Sequence, residues 1–374
     1  MRQSNKILLL FEYGTLNGGE LSMLAMLKVL EQTEFEFVAV APTSGMLKER
    51  LEQFGIEVLP LTLRDKQGQK LPVEQIDAHL LELIRQAAPD LVHSNSLSMG
   101  RMVGRIAPQL PMPCMVHLRD IIKLNKTTVA DLNHSAGLIA VSNATKQFHA
   151  EQRIMSRKLQ VIYNGVDTEV FRPAPAAGTL RQELGLSDSV VLIANIGQIC
   201  LRKGQTLLAQ ATASLAEEFP DANFLFIGQR HSQKQESIEY EKAIRLAFRE
   251  AGIENRLFCL GFREDIPSIL NEIDLLVHTA QQEPLGRVLL EAASCGKAIV
   301  ATDVGGTAEI LEDQVSAILV PPDDLQALTA AIRRMLTDSE LRIRLGKQAR
   351  KSVIKKFSLP EAAEQIHKFW RTFL

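Results

Sequence analysis

Two carboxylates that bracket one segment, Glu283-Pro-Leu-Gly-Arg-Val-Leu-Leu-Glu291, are the residues with the most chemistry to offer. An ionised carboxylate only accepts hydrogen bonds and has room for two hydroxyls, so such a pair suits the diols of a sugar or a ribose. Pro284 and Gly286 mark a helix start between them, and the unpaired N–H groups there favour phosphate. At about 1.5 Å per residue, Glu291 would lie roughly 10 Å along the axis from a start near Pro284, so the two could hold opposite ends of an elongated ligand. Spacing alone selects nothing, because Glu12/Glu20, Glu49/Glu57, Glu74/Glu82 and Glu264/Glu272 repeat it. The setting selects this pair: a strand-like run, Leu275–His278, precedes it and an apolar helical stretch, Val288–Cys295, follows. The plain alternative is a helix-terminal carboxylate stabilised by the macrodipole and an unrelated surface glutamate.

Two further loops carry chemistry. Gly197-Gln198-Ile-Cys-Leu-Arg202-Lys203-Gly204 sets two cations at a helix start, where a diphosphate would gain charge-assisted bonds, although a solvated Arg-Lys pair looks the same in sequence. In Glu12-Tyr-Gly-Thr-Leu-Asn-Gly18-Gly19-Glu20, two residues without a Cβ let the backbone approach a ligand, though alone this reads as an ordinary turn. His93, His117 and His278 fall at or near strand ends, and each by itself reads as a structural histidine. His117 is the best placed, because Arg119 and Asp120 accompany it. Arg119, Lys123 and Lys126 could meet a phosphorylated or lipid-linked acceptor or form a solvated basic loop. The sequence has no D-x-D, G-x-S-x-G, G-x-x-x-x-G-K-[ST] or H-E-x-x-H, so phosphate would be neutralised by side chains, and no metal and no cofactor is expected.

Short apolar runs position these loops. Ile7–Phe11, Phe37–Ala41, Leu91–His93, Leu138–Ser142 and Gln160–Ile162 alternate with helical segments such as Glu20–Gln32 and Val73–Ala87, which predicts a parallel sheet covered on both faces. After an irregular, proline-bearing segment the pattern restarts with Val190–Ile196, Asn223–Ile227, Arg256–Leu260, Leu275–His278, Ala298–Ala301 and Ala317–Val320. The fold class is α/β with two doubly wound Rossmann-like domains facing a central cleft. The expected division is an N-terminal domain 1–170, a linker 171–187, a C-terminal domain 188–357 and a helix 358–374 docking on the N-terminal domain. Asn164-Gly165 would be the hinge. Ligands in open parallel sheets bind beyond the carboxyl ends of the strands, so the residues just after strands matter most.

Composition narrows the classes. With 374 residues, 46% of them apolar and 23% charged, the chain suits two globular domains. A net charge of −2 gives nucleic acid no basic surface to bind. Cys114, Cys200, Cys259 and Cys295 are scattered without a C-x-x-C pair, so neither a zinc site nor a redox motif is indicated and a reduced cytoplasmic protein is expected. No apolar run reaches spanning length. The basic run Lys347, Arg350, Lys351, Lys355 and Lys356 reads first as a solvated helix face and second as a peripheral contact with anionic lipid at the inner face of a membrane.

Val161-Ile-Tyr-Asn-Gly-Val-Asp167 with Phe171, the Arg202-Lys203-Gly204 loop, Glu283 through Glu291, and Val300-Ala-Thr-Asp-Val-Gly-Gly306 with Glu309 together resemble the retaining glycosyltransferases of the GT-B fold, family four. The resemblance covers nearly the whole chain and implies transfer of a sugar from a nucleotide-diphosphate sugar to a saccharide, glycolipid or lipid-linked acceptor in envelope polysaccharide or glycolipid assembly. It implies a ribose ligand in Glu291, a place beside the transferred sugar for Glu283, diphosphate contact by Lys203 with Arg202, and donor contacts from Leu285 and Gly286. Gly18 and Gly19 would close over the phosphates, His117 would stand near the reaction centre, and Phe262 and Arg263 would flank the base. Independently of the resemblance, Arg119, Asp120 and Lys123 are the candidate acceptor-binding residues. Gln198 departs from the family's usual arginine, which keeps two alternatives in view: a nucleotide-sugar epimerase or hydrolase, and a non-catalytic sugar-nucleotide-binding protein.

Overall fold

The computed structural model describes residues 4–31 and 33–374; Gln32, the expected end of the helix Glu20–Gln32, lies outside them. The chain packs as two units. The first holds the described residues up to Gly165 together with Leu359–Leu374, and the second holds Val166–Ser358.

Unit 1 is a seven-stranded parallel sheet of β1 (Asn5–Leu10), β2 (Phe35–Ala41), β3 (Glu57–Pro60), β4 (Leu91–Ser94), β5 (Cys114–Leu118), β6 (Gly137–Ala140) and β7 (Leu159–Val161), in the order β3-β2-β1-β4-β5-β6-β7. Its helices are α1 (Gly18–Leu30), α2 (Met46–Gln53), α3 (Val73–Ala87), α4 (Leu97–Ile106), α5 (Lys126–Asn133) and α6 (Asn143–Glu151). Strand β1 shows why the central strands read as unbroken apolar runs: Ile7 and Leu9 enter the core on one face, Leu8 and Leu10 the core on the other. Strands β3 and β5 lie outside the expected runs. β3 is a short edge strand half in water, and β5 follows Pro111 and Pro113 and carries His117.

Unit 2 repeats the plan with six parallel strands, β8 (Val191–Ile196), β9 (Ala222–Ile227), β10 (Leu257–Gly261), β11 (Leu275–His278), β12 (Ala298–Thr302) and β13 (Ile318–Val320), ordered β10-β9-β8-β11-β12-β13. Its helices are α7 (Thr179–Leu184), α8 (Gln205–Leu215), α9 (Gln235–Glu250), α10 (Ile266–Glu272), α11 (Arg287–Ser294), α12 (Thr307–Ile310), α13 (Leu325–Thr337) and α14 (Ser339–Lys356). The last helix, α15 (Leu359–Arg371), belongs to unit 1, where Ile366, Phe369 and Trp370 join the core around Leu9, Met26 and Phe35. Burying each such side chain contributes about 2 kcal/mol.

Two sequence expectations need correction. Residues 171–187 carry the prolines of a linker yet pack within unit 2, because the buried Glu272 carboxylate accepts the N–H groups of Leu180 and Arg181 at 3.1–3.2 Å and so staples the start of α7. The basic run on α14 is not one face: Lys347, Lys351, Lys355 and Lys356 are exposed, whereas Arg350 turns inward to the carbonyls of Ser294 and Phe171. Among the described residues, no helix is long and apolar enough to cross a membrane.

In both sheets the strand order reverses beside the first strand, between β1 and β4 and between β8 and β11. The loops leaving those strands open the crevice in which a doubly wound sheet binds its ligand. Gly18 and Gly19 follow β1, Lys203 follows β8, and Glu283 follows β11.

Candidate active site

In unit 2 the loops after β8 and β11 lock together through backbone that only glycine permits. Gly204 has φ of +62°, and a Cβ there would lie 2.0 Å from the Thr279 carbonyl oxygen. The Thr279 hydroxyl donates to the Lys203 carbonyl at 3.0 Å and the Gln281 N–H to that of Arg202 at 2.9 Å. A single 3-10 turn, Leu201–Lys203, then aims Lys203 at Glu283. Lys203 Nζ and His278 Nε2 both bond Glu283 Oε2, the histidine at 2.8 Å, and Oε1 has no hydrogen-bond partner among the described residues.

The carboxylate is 6% exposed. Burial alone would raise its pKa, but the Lys203 charge and the bonds from His278 and Lys203 hold it well below the usual carboxylate range. Burial, followed by the Lys203 charge, keeps His278 neutral despite Glu283. A carboxylate cannot donate, so the imidazole proton sits on Nε2.

Helix α11 begins at Arg287, not at Pro284, because Gly286 holds φ of +102°, a left-handed conformation that interrupts the helical path. Glu291 therefore lies only about 6 Å along the axis from the start, and the expected 10 Å shrinks accordingly. Its Oε1 forms an ion pair with Arg287 Nε at 2.7 Å, one turn earlier. Burial raises the Glu291 pKa, with Arg287 opposing. Each carboxylate thus has one oxygen held by its own chain and a second with no hydrogen-bond partner among the described residues, half the capacity the sequence suggests. Leu285 is 1% exposed, so only its backbone could serve a ligand. Beneath it lies the Gly306 of the second glycine motif: its N–H donates to the Glu283 carbonyl at 2.9 Å, and a Cβ there would meet the Pro284 oxygen at 2.5 Å.

Of the other expected donor residues, Arg202 and Phe262 are exposed. Arg263, expected to flank the base, is held in place by carboxylates: two of its nitrogens bond Asp265 at 2.7–2.8 Å and a third bonds Glu183 at 2.7 Å. Gln198 uses its carbonyl to accept from Gln205 at 2.8 Å, which shapes the loop without adding a charge.

In unit 1 a residue absent from the sequence candidates, Asn95, braces the crevice. It follows β4 and is 1% exposed. Its amide donates to the Gly19 carbonyl at 3.2 Å, while its two oxygens accept from Arg119 at 3.1 and 2.9 Å. Arg119, expected to serve the acceptor, also bonds Asn164 Oδ1 at 2.8 Å and His117 Nδ1 at 3.1 Å, and so braces this crevice. A Cβ on Gly19 would press to 3.0 Å from Arg119 Cδ, whereas Gly18 faces open space. Asp120 and Lys123 are exposed on the following loop.

His117 is 1% exposed and His93 fully buried, with their rings edge to face at 5.6 Å. Burial pushes His117 well below the ordinary value, helped by the Arg119 charge, and takes His93 to about 3, so both are neutral. Arginine and indole nitrogens only donate. His117 Nδ1, facing Arg119, and His93 Nδ1, 3.2 Å from Trp370 Nε1, are therefore acceptors, and both Nε2 atoms carry hydrogens that have no partner among the described residues. The signal for Asn95 was its place directly after a strand at the order reversal.

Two doubly wound units, one with buried carboxylates and a lysine at its switch point, define an α/β enzyme built to hold a phosphorylated, hydroxyl-rich ligand. A family model for glycosyl transferases group 1 matches residues 177–352, and one for glycosyltransferase family 4 matches residues 16–170. The chain belongs to the family 4 glycosyltransferases of the GT-B fold, and its activity is glycosyl transfer from a nucleotide sugar. It is 26% identical over 304 residues to the UDP-Gal:alpha-D-GlcNAc-diphosphoundecaprenol alpha-1,3-galactosyltransferase of Escherichia coli, covering 77% of this chain and 76% of that one. It is also 26% identical to HepE of Anabaena in complex with UDP-glucose, with a TM-score of 0.87 over 98% of this chain and 99% of that one. HepE in complex with UDP and glucose gives 27% and 0.85 with the same coverage.

Proposed function

We propose that the chain moves a hexose from a uridine-diphosphate sugar to a saccharide carried on a lipid diphosphate, with retention and without a metal. The observation that carries this is the pair of buried carboxylates in unit 2, each with one oxygen fixed and one open, beside a lysine at the β8/β11 switch point. Glu291 would take the ribose hydroxyls, Glu283 the transferred sugar, and Lys203, with Arg202 and the α11 N-terminus, the diphosphate. The bond from the anomeric carbon to the diphosphate breaks with its electron pair leaving on the diphosphate, which those cations neutralise. The acceptor hydroxyl adds to the same face and gives its proton to a diphosphate oxygen. Preorganised charge of this kind is usually the largest catalytic term.

The UDP and UDP-glucose complexes of HepE support the donor class, and the E. coli relative supports a lipid-linked acceptor. The exposed lysines of α14 suit an anionic lipid surface. Gly18, Gly19 and His117 keep the donor-side roles implied by the family resemblance, and the exposed Asp120 and Lys123 are the candidate acceptor residues.

The test is incubation with UDP-glucose or UDP-galactose and a lipid-diphosphate saccharide in anionic vesicles, in buffer with EDTA, with the product anomer read by NMR. An α-linked product is expected. A β-linked product overturns retention, activity lost to EDTA overturns metal independence, and free sugar or an epimerised donor without glycoside points to the hydrolase or epimerase. Binding without turnover points to the non-catalytic protein.

A further inference from the structure

Glu283 raises a question of charge. It is 6% exposed and ionised, so it needs compensation at every stage of a catalytic cycle. Two donors supply it, Lys203 and His278, and both reach the same oxygen, Oε2. On the proposed function, Lys203 must also serve the diphosphate, and a lysine that turns toward a phosphate weakens its hold on the carboxylate at that moment. His278 does not face this conflict. It ends β11, is 2% exposed, and lies on a strand paired on both sides, to β8 and to β12. Being neutral, it gains nothing by following an anion, and its single N–H points at Glu283.

We infer that His278 is a positioning residue for the transfer reaction: its Nε2–H fixes the Glu283 carboxylate so that Oε1 stays aimed at the sugar while Lys203 turns to the diphosphate. This deepens the donor reading above and rests on it. Because Lys203 still compensates Glu283 before the donor arrives, losing His278 harms the donor-bound and later states more than the free protein. A contribution of that kind appears in kcat rather than in KM.

Two variants test it on the full chain. His278→Phe keeps a ring of similar size and removes the N–H; His278→Gln keeps a side-chain N–H donor. His278→Phe should lower kcat about 10- to 100-fold, the usual worth of a hydrogen bond to a charged group, with donor KM changed by less than about threefold. His278→Gln should recover most of the rate, which a purely structural role would not produce. Thermal melts identify a variant that has lost its fold, and the glutamine variant then decides alone. An unchanged kcat in His278→Phe, a loss confined to KM, or equal losses in both variants overturns the inference. A wild-type chain that transfers no sugar from any nucleotide donor overturns the function and this inference together; a wild type that transfers sugar while both variants match it overturns the inference alone.

Discussion

The two switch points share a backbone plan and differ in what they bury. Unit 2 buries full charges and neutralises them locally, Lys203 and His278 on Glu283 and Arg287 on Glu291. Unit 1 buries neutral imidazoles and one carboxylate, Glu20, whose pKa burial raises against the pull of the Arg119 charge, and it bonds the Arg119 guanidinium to the neutral acceptors Asn95, Asn164 and His117. An ion pair within the protein can be exchanged for an ion pair with a ligand at small net cost, since both partners were already desolvated. A guanidinium bonded by amides in the core is a strut that a ligand would have to break. On the proposed function, unit 2 would trade charge with a diphosphate while unit 1 holds a shape.

Removing the lysine is the strongest way to break that contrast. Lys203→Ala should cut kcat by about 10²- to 10³-fold, as loss of one preorganised charge-stabilising group does elsewhere. It should also lower stability at neutral pH by about 3 kcal/mol, because Glu283 is left buried with His278 alone. The sign follows from the depressed Glu283 pKa: its stabilising contribution is present above the unfolded carboxyl value and is lost as pH falls below it. The stability deficit of Lys203→Ala should therefore shrink in acid. A variant that keeps its rate removes the leaving-group role from Lys203.

Glu291 sharpens the contrast from the other side. Burial raises its pKa, so ionisation at neutral pH costs folding stability, fully avoided below the unfolded value and incurred as pH rises through the folded one. Glu291→Gln should weaken UDP binding by about 1–3 kcal/mol in calorimetry, while the melting temperature at pH 7 stays level or rises. Unchanged UDP affinity would sink the ribose assignment. A large drop in stability would show Glu291 to be structural, like Glu272.

Glu272 and Glu291 show what the sequence could carry. Both end an eight-residue spacing from another glutamate, yet the buried Glu272 staples α7 whereas the buried Glu291 pairs with Arg287 on its own helix. The strand before Glu283 was legible because β11 is buried on both faces and reads as one apolar run. The helix start was three residues off because a left-handed Gly286 is indistinguishable in sequence from a helical one. The bracing bonds of Arg119 were not legible because the residues that hold it lie 24 and 45 positions away. His278 was visible as a strand end, but its partner Glu283 is reached across a loop whose path depends on Gly204 and Gly306, both fixed by close backbone contacts.

The smallest effect separates the two units by pH. His93, His117 and His149 in unit 1 and His278 in unit 2 all have depressed pKa values, in each case first through burial. The unfolded chain takes up protons below about 6.5 that these folded imidazoles refuse, so stability is full above that pH and falls as pH drops toward the folded values, about 3 for His93. Each such histidine contributes a slope of roughly 1.4 kcal/mol per pH unit, and unit 1 holds three against one. Amide exchange at pH 7 and 5.5 should show unit 1 losing protection first on acidification. His93→Phe should cost about 1 kcal/mol at pH 7, because Trp370 Nε1 loses its acceptor, and should flatten the acid slope of unit 1. If unit 2 opens first, or the slope survives in His93→Phe, then buried neutral imidazoles are not what distinguishes unit 1.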